Sequence, residues 1–586
     1  MYSGGIRHDG VLNRSLLKFF KQQTFMKKLI ECVPNFSEGR DMGVIKQITD
    51  AIEAVEGVKL LDVDPGAATN RTVVTFVGEP AAVIEGAFQG IKKAYEVIDM
   101  AKHSGEHPRF GATDVCPLIP LSNVTMEETV EYAHQLGKRV GEELGLSGYF
   151  YESAATKPER KNLATVRAGE YEGLPKKLAK EEWQPDYGPA TFNPKYGVTA
   201  IGARDFLVAY NVNLNTTSTR RANAVAFDIR EKGRVKKKGG FYSGEVVRDA
   251  EGKPVRVPGM LKACKAIGWF IEEYGMAQVS MNLTNITTTS VHQAFEACVK
   301  SATKRGMRVT GSELVGLVPL KSMVEAGKYF LRKQKRSVGV SELELVKIAV
   351  KSMGLDELAP FDPQQKIIEY QLNDAQSQPL IHMNLAAFAD ETASESPAPG
   401  GGSIAAYVGV LGVSLGTMVA NLSSHKRGWD KRWAEFSEWA EKGQAYKEEL
   451  LQLVDEDTAA FNKIMESIRM PKGSEAEQKA RKKAMLAATI NAIEVPFRVM
   501  QVSLASMEVM KAMAEIGNPN SASDSGVGAL CARSAVMGAY LNVKINMSGM
   551  RNKVYVERML LEGQAMVDKA QALEGEILAL VEKAIS

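Results

Sequence analysis

A shift in residue usage near position 372 constrains the fold more than any other feature of this chain. Before it, short runs rich in Val, Ile, Thr and Phe alternate with stretches whose apolar residues recur at helical spacing. After the polar segment Asn373-Asp374-Ala375-Gln376-Ser377-Gln378-Pro379, Ala, Met, Glu and Lys dominate and strand formers become scarce. A chain of 586 residues also exceeds what one hydrophobic core supports. The expected organisation is an extension at 1–26, two α+β subdomains at 27–204 and 205–372, a linker at 373–382, and an all-α helical bundle at 383–586.

The first subdomain reads as strand Leu29 to Val33, helix Gly43 to Val55, strands Val58 to Asp64 and Thr72 to Val77, a helix from Pro80, and strand Val115 to Leu121. That β-α-β-β-α-β order predicts a ferredoxin-like arrangement. A second α+β unit follows with strand Phe206 to Leu214, helix Met260 to Tyr274, strand Gln278 to Leu283, helix Ser290 to Arg305 and strand Met307 to Val318. Met1 to Phe25 holds a short basic stretch but no apolar run of signal-peptide length, and Met26 directly precedes the first strand. Residues 1–26 therefore read as an upstream extension without a structural role.

Composition excludes several functions. Lys and Arg total 73 against 70 for Asp and Glu, and a net charge of +3 predicts no nucleic-acid partner. Five dispersed cysteines argue for reduced thiols in the cytoplasm. Ile404 to Leu422 carries no charge and approaches membrane-span length, but no other segment is comparably apolar. Gly409, Gly412 and Gly416 permit close helix contact in a bundle as well as in lipid, so no membrane span is expected.

The loop Gly105-Glu106-His107-Pro108-Arg109-Phe110-Gly111-Ala112-Thr113-Asp114 places an imidazole, a guanidinium and carboxylates together, as a proton-transfer site requires. His103 and His107 stand four apart, yet Gly105 and Pro108 break the helix that would make them metal ligands, and no metal is expected. Asp64 precedes Pro65-Gly66, where a carboxylate caps a turn. Between Lys232 and Pro258 a basic stretch reads as an extra hairpin whose charges are ordinary solvated surface.

In the C-terminal half, Pro397 to Ser403 runs into the uncharged helix. The amides of Gly401, Gly402 and Ser403 therefore form an anion-favouring spot, without the Gly-Lys-Ser/Thr of a phosphate loop. Leu450, Val454, Asp457, Phe461, Ile464 and Ile468 recur at spacings of four and three, which puts Asp457 on an apolar stripe and Asp455 and Glu456 off it. A buried Asp457 would hold a proton at neutral pH. Asp524 reads as the N-cap of a helix Ser525 to Leu541.

Asn35 to Arg40, Gly105 to Asp114 and Gly188 to Pro194 resemble the glutamate formimidoyltransferase half of the formimidoyltransferase-cyclodeaminase family. Pro397 to Ser403, Val454 to Phe461 and Gly517 to Asp524 resemble its cyclodeaminase/cyclohydrolase half. The resemblance covers nearly everything after Met26; the basic insertion departs from it. It implies transfer of a formimidoyl group from N-formimidoyl-L-glutamate to tetrahydrofolate, then cyclisation to 5,10-methenyltetrahydrofolate with loss of ammonia, within histidine degradation. It implies His107 as general acid/base, and Arg71 and Arg109 as partners of the glutamate carboxylates. It places Asp64 near the folate and assigns folate binding to Gly188, Pro189, Ala190, Thr191, Phe192, Asn193, Pro194, Lys195, Tyr196 and Gly197, with Phe192 or Tyr196 stacking on a flat ring. Asp457 would protonate the departing ammonia. Polyglutamylated tetrahydrofolate as co-substrate, and a homo-oligomer built from dimers of each half, are further implications. Two alternatives stay open for the helical half: a methenyltetrahydrofolate cyclohydrolase, or a non-catalytic folate-binding dimerisation module.

Overall fold

The computed structural model describes residues 28–66, 70–105, 109–239, 244–372 and 380–586; the extension and His107 lie outside the described residues. Contacts divide the chain into two compact units, Met1–Val309 with Leu314–Leu317, and Thr310–Glu313 with Val318–Ser586. A mixed α/β N-terminal half precedes a helical C-terminal region, as the residue usage predicts.

The first sheet contains β1 (Leu29–Cys32), β2 (Asn35–Phe36), β3 (Val58–Gly66), β4 (Arg71–Gly78), β5 (Thr113–Ser122), β6 (Gly148–Glu152) and β7 (Thr199–Ala203). β1 and β2 are two pieces of one strand interrupted at Val33-Pro34, where Val33 donates to Pro117 O and Pro34 O accepts from Val74. Both pieces lie between β4 and β5, with β3 outside β4; all these pairings are antiparallel. β5 then continues in parallel through β7 to β6. β3 is an edge strand, which lets Pro65 sit inside it; the strand runs on to Gly66 instead of ending at Asp64.

Helices Met42–Glu53, Pro80–Val97 and Met126–Glu143 bury Ile48, Ile52, Phe88 and Leu136 in one core with Phe76, Cys116 and Leu118 of the sheet. Cys32 and Cys116, distant in sequence, meet at 3.5 Å between sulfurs and remain thiols. A smaller core gathers Phe110, Tyr149, Val166, Leu174 and Val198.

The second sheet holds β8 (Val208–Leu214), then, after the insertion strands β9 (Arg234–Val235), β10 (Lys237–Lys238), β11 (Glu245–Val246) and β12 (Arg256–Val257), the strands β13 (Cys264–Ile271), β14 (Met276–Leu283) and β15 (Val309–Val315). Its spatial order is β13-β14-β8-β15. The helix expected over Met260 to Tyr274 is absent, because that segment forms strand β13. Its burial alternates from Cys264 to Trp269 and breaks at Phe270, and Ile267 and Trp269 on the outer face are apolar too, which hides the period of two. The helices on this sheet are instead Thr219–Ile229, capped by Ser218 Oγ accepting from the Arg221 amide, and Val291–Thr303, within the expected Ser290 to Arg305.

The C-terminal unit packs Gly401–Ser424, Trp433–Arg469, Glu475–Ile516, Ala522–Asn546 and Lys553–Ile585 around a core of Val413, Leu450, Met500, Met507 and Val536. Gly401–Ser424 is, among the described residues, the one helix long and apolar enough to cross a membrane, and 61% of its apolar window is buried inside the bundle. Its glycines explain that burial: a Cβ on Gly409 would lie 2.7 Å from Ser503 Oγ, and one on Gly412 would lie 2.8 Å from Gly528 O. The two neighbouring helices could not approach a larger residue so closely.

Candidate functional site

Backbone pairing brings together two segments that lie far apart in sequence. Gly111 and Gly197 form an antiparallel bridge, Ala112 N donates to Tyr196 O at 2.8 Å, and Val198 N donates to Phe110 O at 3.1 Å. Both glycines are required: a Cβ on Gly111 would meet Val198 O at 2.2 Å, and Gly197 adopts φ +77°. The stretch Gly188–Gly197 is therefore laid along the end of the Gly105–Asp114 segment.

The described residues on either side of 106–108 are pinned. Asn70, at φ 49°, donates from Nδ2 to Ser104 O, accepts from Gly39 N, and offers its carbonyl to His103 Nε2 at 2.9 Å. On the far side Arg109 O accepts from Tyr171 N at 2.8 Å. A Cβ on Gly39 would lie 2.4 Å from Gly66 O, so glycine alone lets the Asn35–Arg40 segment approach this closely.

Beneath these loops Asp114 is fully buried and receives ion pairs from both Arg71 and Arg167 on a single oxygen, Oδ2. Arg71 is further held by Asn35 Oδ1, from Nε at 3.0 Å and Nη2 at 2.6 Å. Among the described residues Asp114 Oδ1 and Arg167 Nε are buried without a hydrogen-bond partner. Burial lowers Arg71 to about 10, and burial together with the Arg71 charge lowers Arg167 to about 9. Both stay protonated at neutral pH, so two guanidinium charges converge on the Asp114 carboxylate, with Glu170 also acting on Arg167.

The remaining residues expected at this site sort themselves by exposure. Gly188, Pro189, Ala190, Thr191, Pro194 and Lys195 are exposed, and Phe192 is partly so, its ring 5.6 Å from that of Tyr171. Tyr196 does not fit its expected role as a stacking platform. It is fully buried, edge-on to Tyr95, with its hydroxyl against Thr199 Oγ1. Asp64 is exposed in β3 opposite Val73, one strand away from Asn35. Arg109 pairs with Glu172 at 2.5 Å and lies over Tyr171. Arg167 and Asp114 went unmarked by sequence reasoning as a pair because 53 residues separate them.

In the helical unit, Gly400 precedes the Gly401–Ser424 helix, and Asp457 meets that helix's first turn. A Cβ on Gly402 would lie 2.2 Å from Asp457 Oδ1, and one on Gly401 would lie 3.3 Å from Asn542 Nδ2. Ser403 Oγ donates to Val454 O at 2.8 Å and lies 3.3 Å from Asp457 Oδ2. Burial raises the Asp457 pKa, while the Ser403 hydroxyl and amide oppose the rise.

Helical period misplaces the buried acid of the Trp433–Arg469 helix. Asp455, placed off the apolar stripe, is the buried carboxylate (6% exposed); it accepts from Leu380 N at 3.0 Å and Ile381 N at 3.4 Å. Asp457 is only half-buried, and Phe461 and Ile468 are exposed. The helix packs between two others, which widens its buried arc to take in Leu453, Val454 and Asp455 together, and its last turns leave that core. Asp524 is not an N-cap. A short turn at Pro519–Ser521 starts the helix at Ala522 with Ser521 as N-cap, so Asp524 falls in the first turn, where a negative charge still suits the dipole. Among the described residues no group of three or more His, Cys, Asp or Glu side chains is placed to hold a metal.

Comparison with known proteins accounts for both halves. Family models match residues 29–204 (formiminotransferase domain, N-terminal subdomain), 209–373 (formiminotransferase domain) and 384–565 (formiminotransferase-cyclodeaminase). The chain is similar to the formimidoyltransferase-cyclodeaminase of Gallus gallus, 41% identical over 95% of this chain and 99% of that one. It is similar to the glutamate formimidoyltransferase of Streptococcus pyogenes serotype M1, 44% identical over 52% of this chain and 94% of that one. It is also similar to the methenyltetrahydrofolate cyclohydrolase of Methylorubrum extorquens, 31% identical over 34% of this chain and 96% of that one.

Proposed function

The chain belongs to the formimidoyltransferase-cyclodeaminase family, and from that premise we propose that it moves a formimidoyl group from N-formimidoyl-L-glutamate to tetrahydrofolate and then closes the product to 5,10-methenyltetrahydrofolate. The observation that carries the first step is the pairing of Gly111 with Gly197, which joins the Gly105–Asp114 segment to the Gly188–Gly197 stretch, exposed from Gly188 to Thr191. The folate lies along that stretch, with Phe192 as the aromatic contact. Tetrahydrofolate N5 attacks the formimidoyl carbon, and the tetrahedral intermediate expels glutamate; His107 takes the N5 proton and returns it to the departing nitrogen.

The pair of guanidiniums on Asp114 gives the substrate carboxylate its place. Arg71 and Arg167 receive it, while Asp114 holds both guanidiniums in position. Arg167→Ala should raise the KM for N-formimidoyl-L-glutamate by at least about tenfold, with little change in the KM for tetrahydrofolate. Steady-state kinetics in each substrate check this; equal rises in both constants would assign Arg167 to folding alone.

For the second step, N10 closes on the amidine carbon and ammonia leaves, with Asp457 supplying its proton at the N-terminus of the Gly401–Ser424 helix. A coupled assay from N-formimidoyl-L-glutamate and tetrahydrofolate, following both methenyltetrahydrofolate absorbance and ammonia, tests the whole reading. The cyclohydrolase alternative, favoured by the Methylorubrum extorquens relative, predicts hydrolysis of the methenyl product and no ammonia.

We further infer that both sheets are ferredoxin-like. In each, four strands in chain order (β1 with β2, β3, β4, β5, and β8, β13, β14, β15) take the spatial order fourth-first-third-second. We place the enzyme in the cytoplasm, on five unbridged cysteines. It works as a homo-oligomer on polyglutamylated folate. The helix Ala522–Asn546 presents Val527, Leu530, Met537, Leu541 and Ile545 as an exposed apolar stripe, which a second copy would cover. Leu541→Glu should dissociate the assembly in light scattering without lowering helicity; an unchanged mass would remove this face from the interface.

A further inference from the structure

The basic insertion does not form a merely solvated hairpin. β9 pairs with β12, and β10 with β11, in antiparallel fashion. Residues of β9, β10 and β12 and of the Thr219–Ile229 helix line a cavity of about 730 Å³. Six cations line it, Arg220, Arg230, Arg234, Lys236, Lys237 and Arg256, and no Asp or Glu is among the lining residues. None of them belongs to the site built around Asp114 and the Gly188–Gly197 stretch.

A carboxylate on the same helix is already committed. Asp228 takes ion pairs from Arg234 and Arg305 and a hydrogen bond from Ser301 Oγ at 2.8 Å. Arg230 is fixed by its own surroundings: Nε donates to Gly233 O at 3.0 Å, and the guanidinium stacks 4.1 Å over the Phe227 ring. Burial first, then the charges of Arg256 and Arg234, disfavour its protonated form. Asp228 therefore offsets part of this charge, and a polyanion entering the cavity would meet several of the lining cations at once. Phe227, Val235 and Val257 supply an apolar wall beside them.

We propose that this cavity binds a ligand carrying two or more adjacent phosphate groups. Charge density selects phosphate over carboxylate. Each phosphate presents up to about two charges and three acceptor oxygens in a small volume, whereas a carboxylate chain spreads one charge per residue. The apolar wall accommodates the ring of a nucleotide, and inorganic polyphosphate is the other source of the same chemistry.

Calorimetric titration of the full chain with ATP, tripolyphosphate, adenosine and tri-γ-glutamate tests the proposal. ATP is expected to saturate below about 1 mM, weakening as salt rises. Tripolyphosphate should bind as well, more weakly if the nucleotide is the source and equally if polyphosphate is, and adenosine should not bind. Arg256→Gln, on an exposed two-residue strand, should weaken ATP by about tenfold while leaving formimidoyl transfer and thermal stability unchanged. Arg230→Gln should do the same where its thermal unfolding matches the parent. Absence of saturable ATP binding, tri-γ-glutamate binding as tight as ATP, or an ATP affinity untouched by Arg256→Gln would overturn it.

Discussion

His107→Ala is expected to lower formimidoyl transfer by about 10²- to 10⁴-fold, the usual contribution of a positioned acid/base, while leaving cyclisation of supplied 5-formimidoyltetrahydrofolate at its parent rate. The separation follows from the division of the chain, because the residues flanking 106–108 and the Asp457 site belong to different compact units. The loss should be one of kcat: the arginines proposed to hold the substrate carboxylate remain, so the KM for N-formimidoyl-L-glutamate should move little. Added imidazole should restore part of the transfer rate with a pH profile following the imidazole pKa, a result that damage to the loop would not produce. Equal loss of both reactions would overturn the assignment of one site to each half.

The residues show where sequence reading succeeds and where it stops. In the first sheet β1, β3, β4, β5 and the helices between them are legible from their apolar faces, as in Ile45, Ile48 and Ile52 of the first helix, whereas the short β6 and β7 do not stand out. β13 is misread because Ile267 and Trp269 make its second face apolar as well and the exposed Phe270 breaks the alternation. The Thr219–Ile229 helix carried a readable signal, with Ser218 as cap and Ala222, Val225, Ala226 and Ile229 as its buried spacing. The site is legible as loops but not as partners. Gly111 and Gly197 announce close approach without saying to what, and the two arginines on Asp114 come 43 and 53 residues away from it. Aromatic character likewise could not separate Phe192, which is accessible, from Tyr196, which the Tyr95 edge and Thr199 lock into the core.

Asp457 and Asp455 should part company when each is changed to asparagine. Asp457→Asn keeps the shape but has no proton to deliver, so ammonia release should fall by about 10²-fold or more. Its effect on stability follows from the raised pKa that burial imposes. A carboxyl whose pKa rises on folding favours the folded state only while protonated, fully below its unfolded value, and that contribution is lost as pH rises through the folded value. At neutral pH the variant should therefore be as stable as the parent or more so, and the two should converge near pH 4 and below, about the reference carboxylate pKa. Asp455→Asn sets an amide against the backbone N–H groups of Leu380 and Ile381, which the carboxylate now accepts. It should cost about 1–3 kcal/mol, yet the folded fraction should keep its turnover. Thermal melts from pH 4 to 8 alongside ammonia-release rates separate the two. Full turnover in Asp457→Asn, or abolished turnover with an unchanged melt in Asp455→Asn, would move the proton donor from the mouth of the Gly401–Ser424 helix to the buried carboxylate behind it.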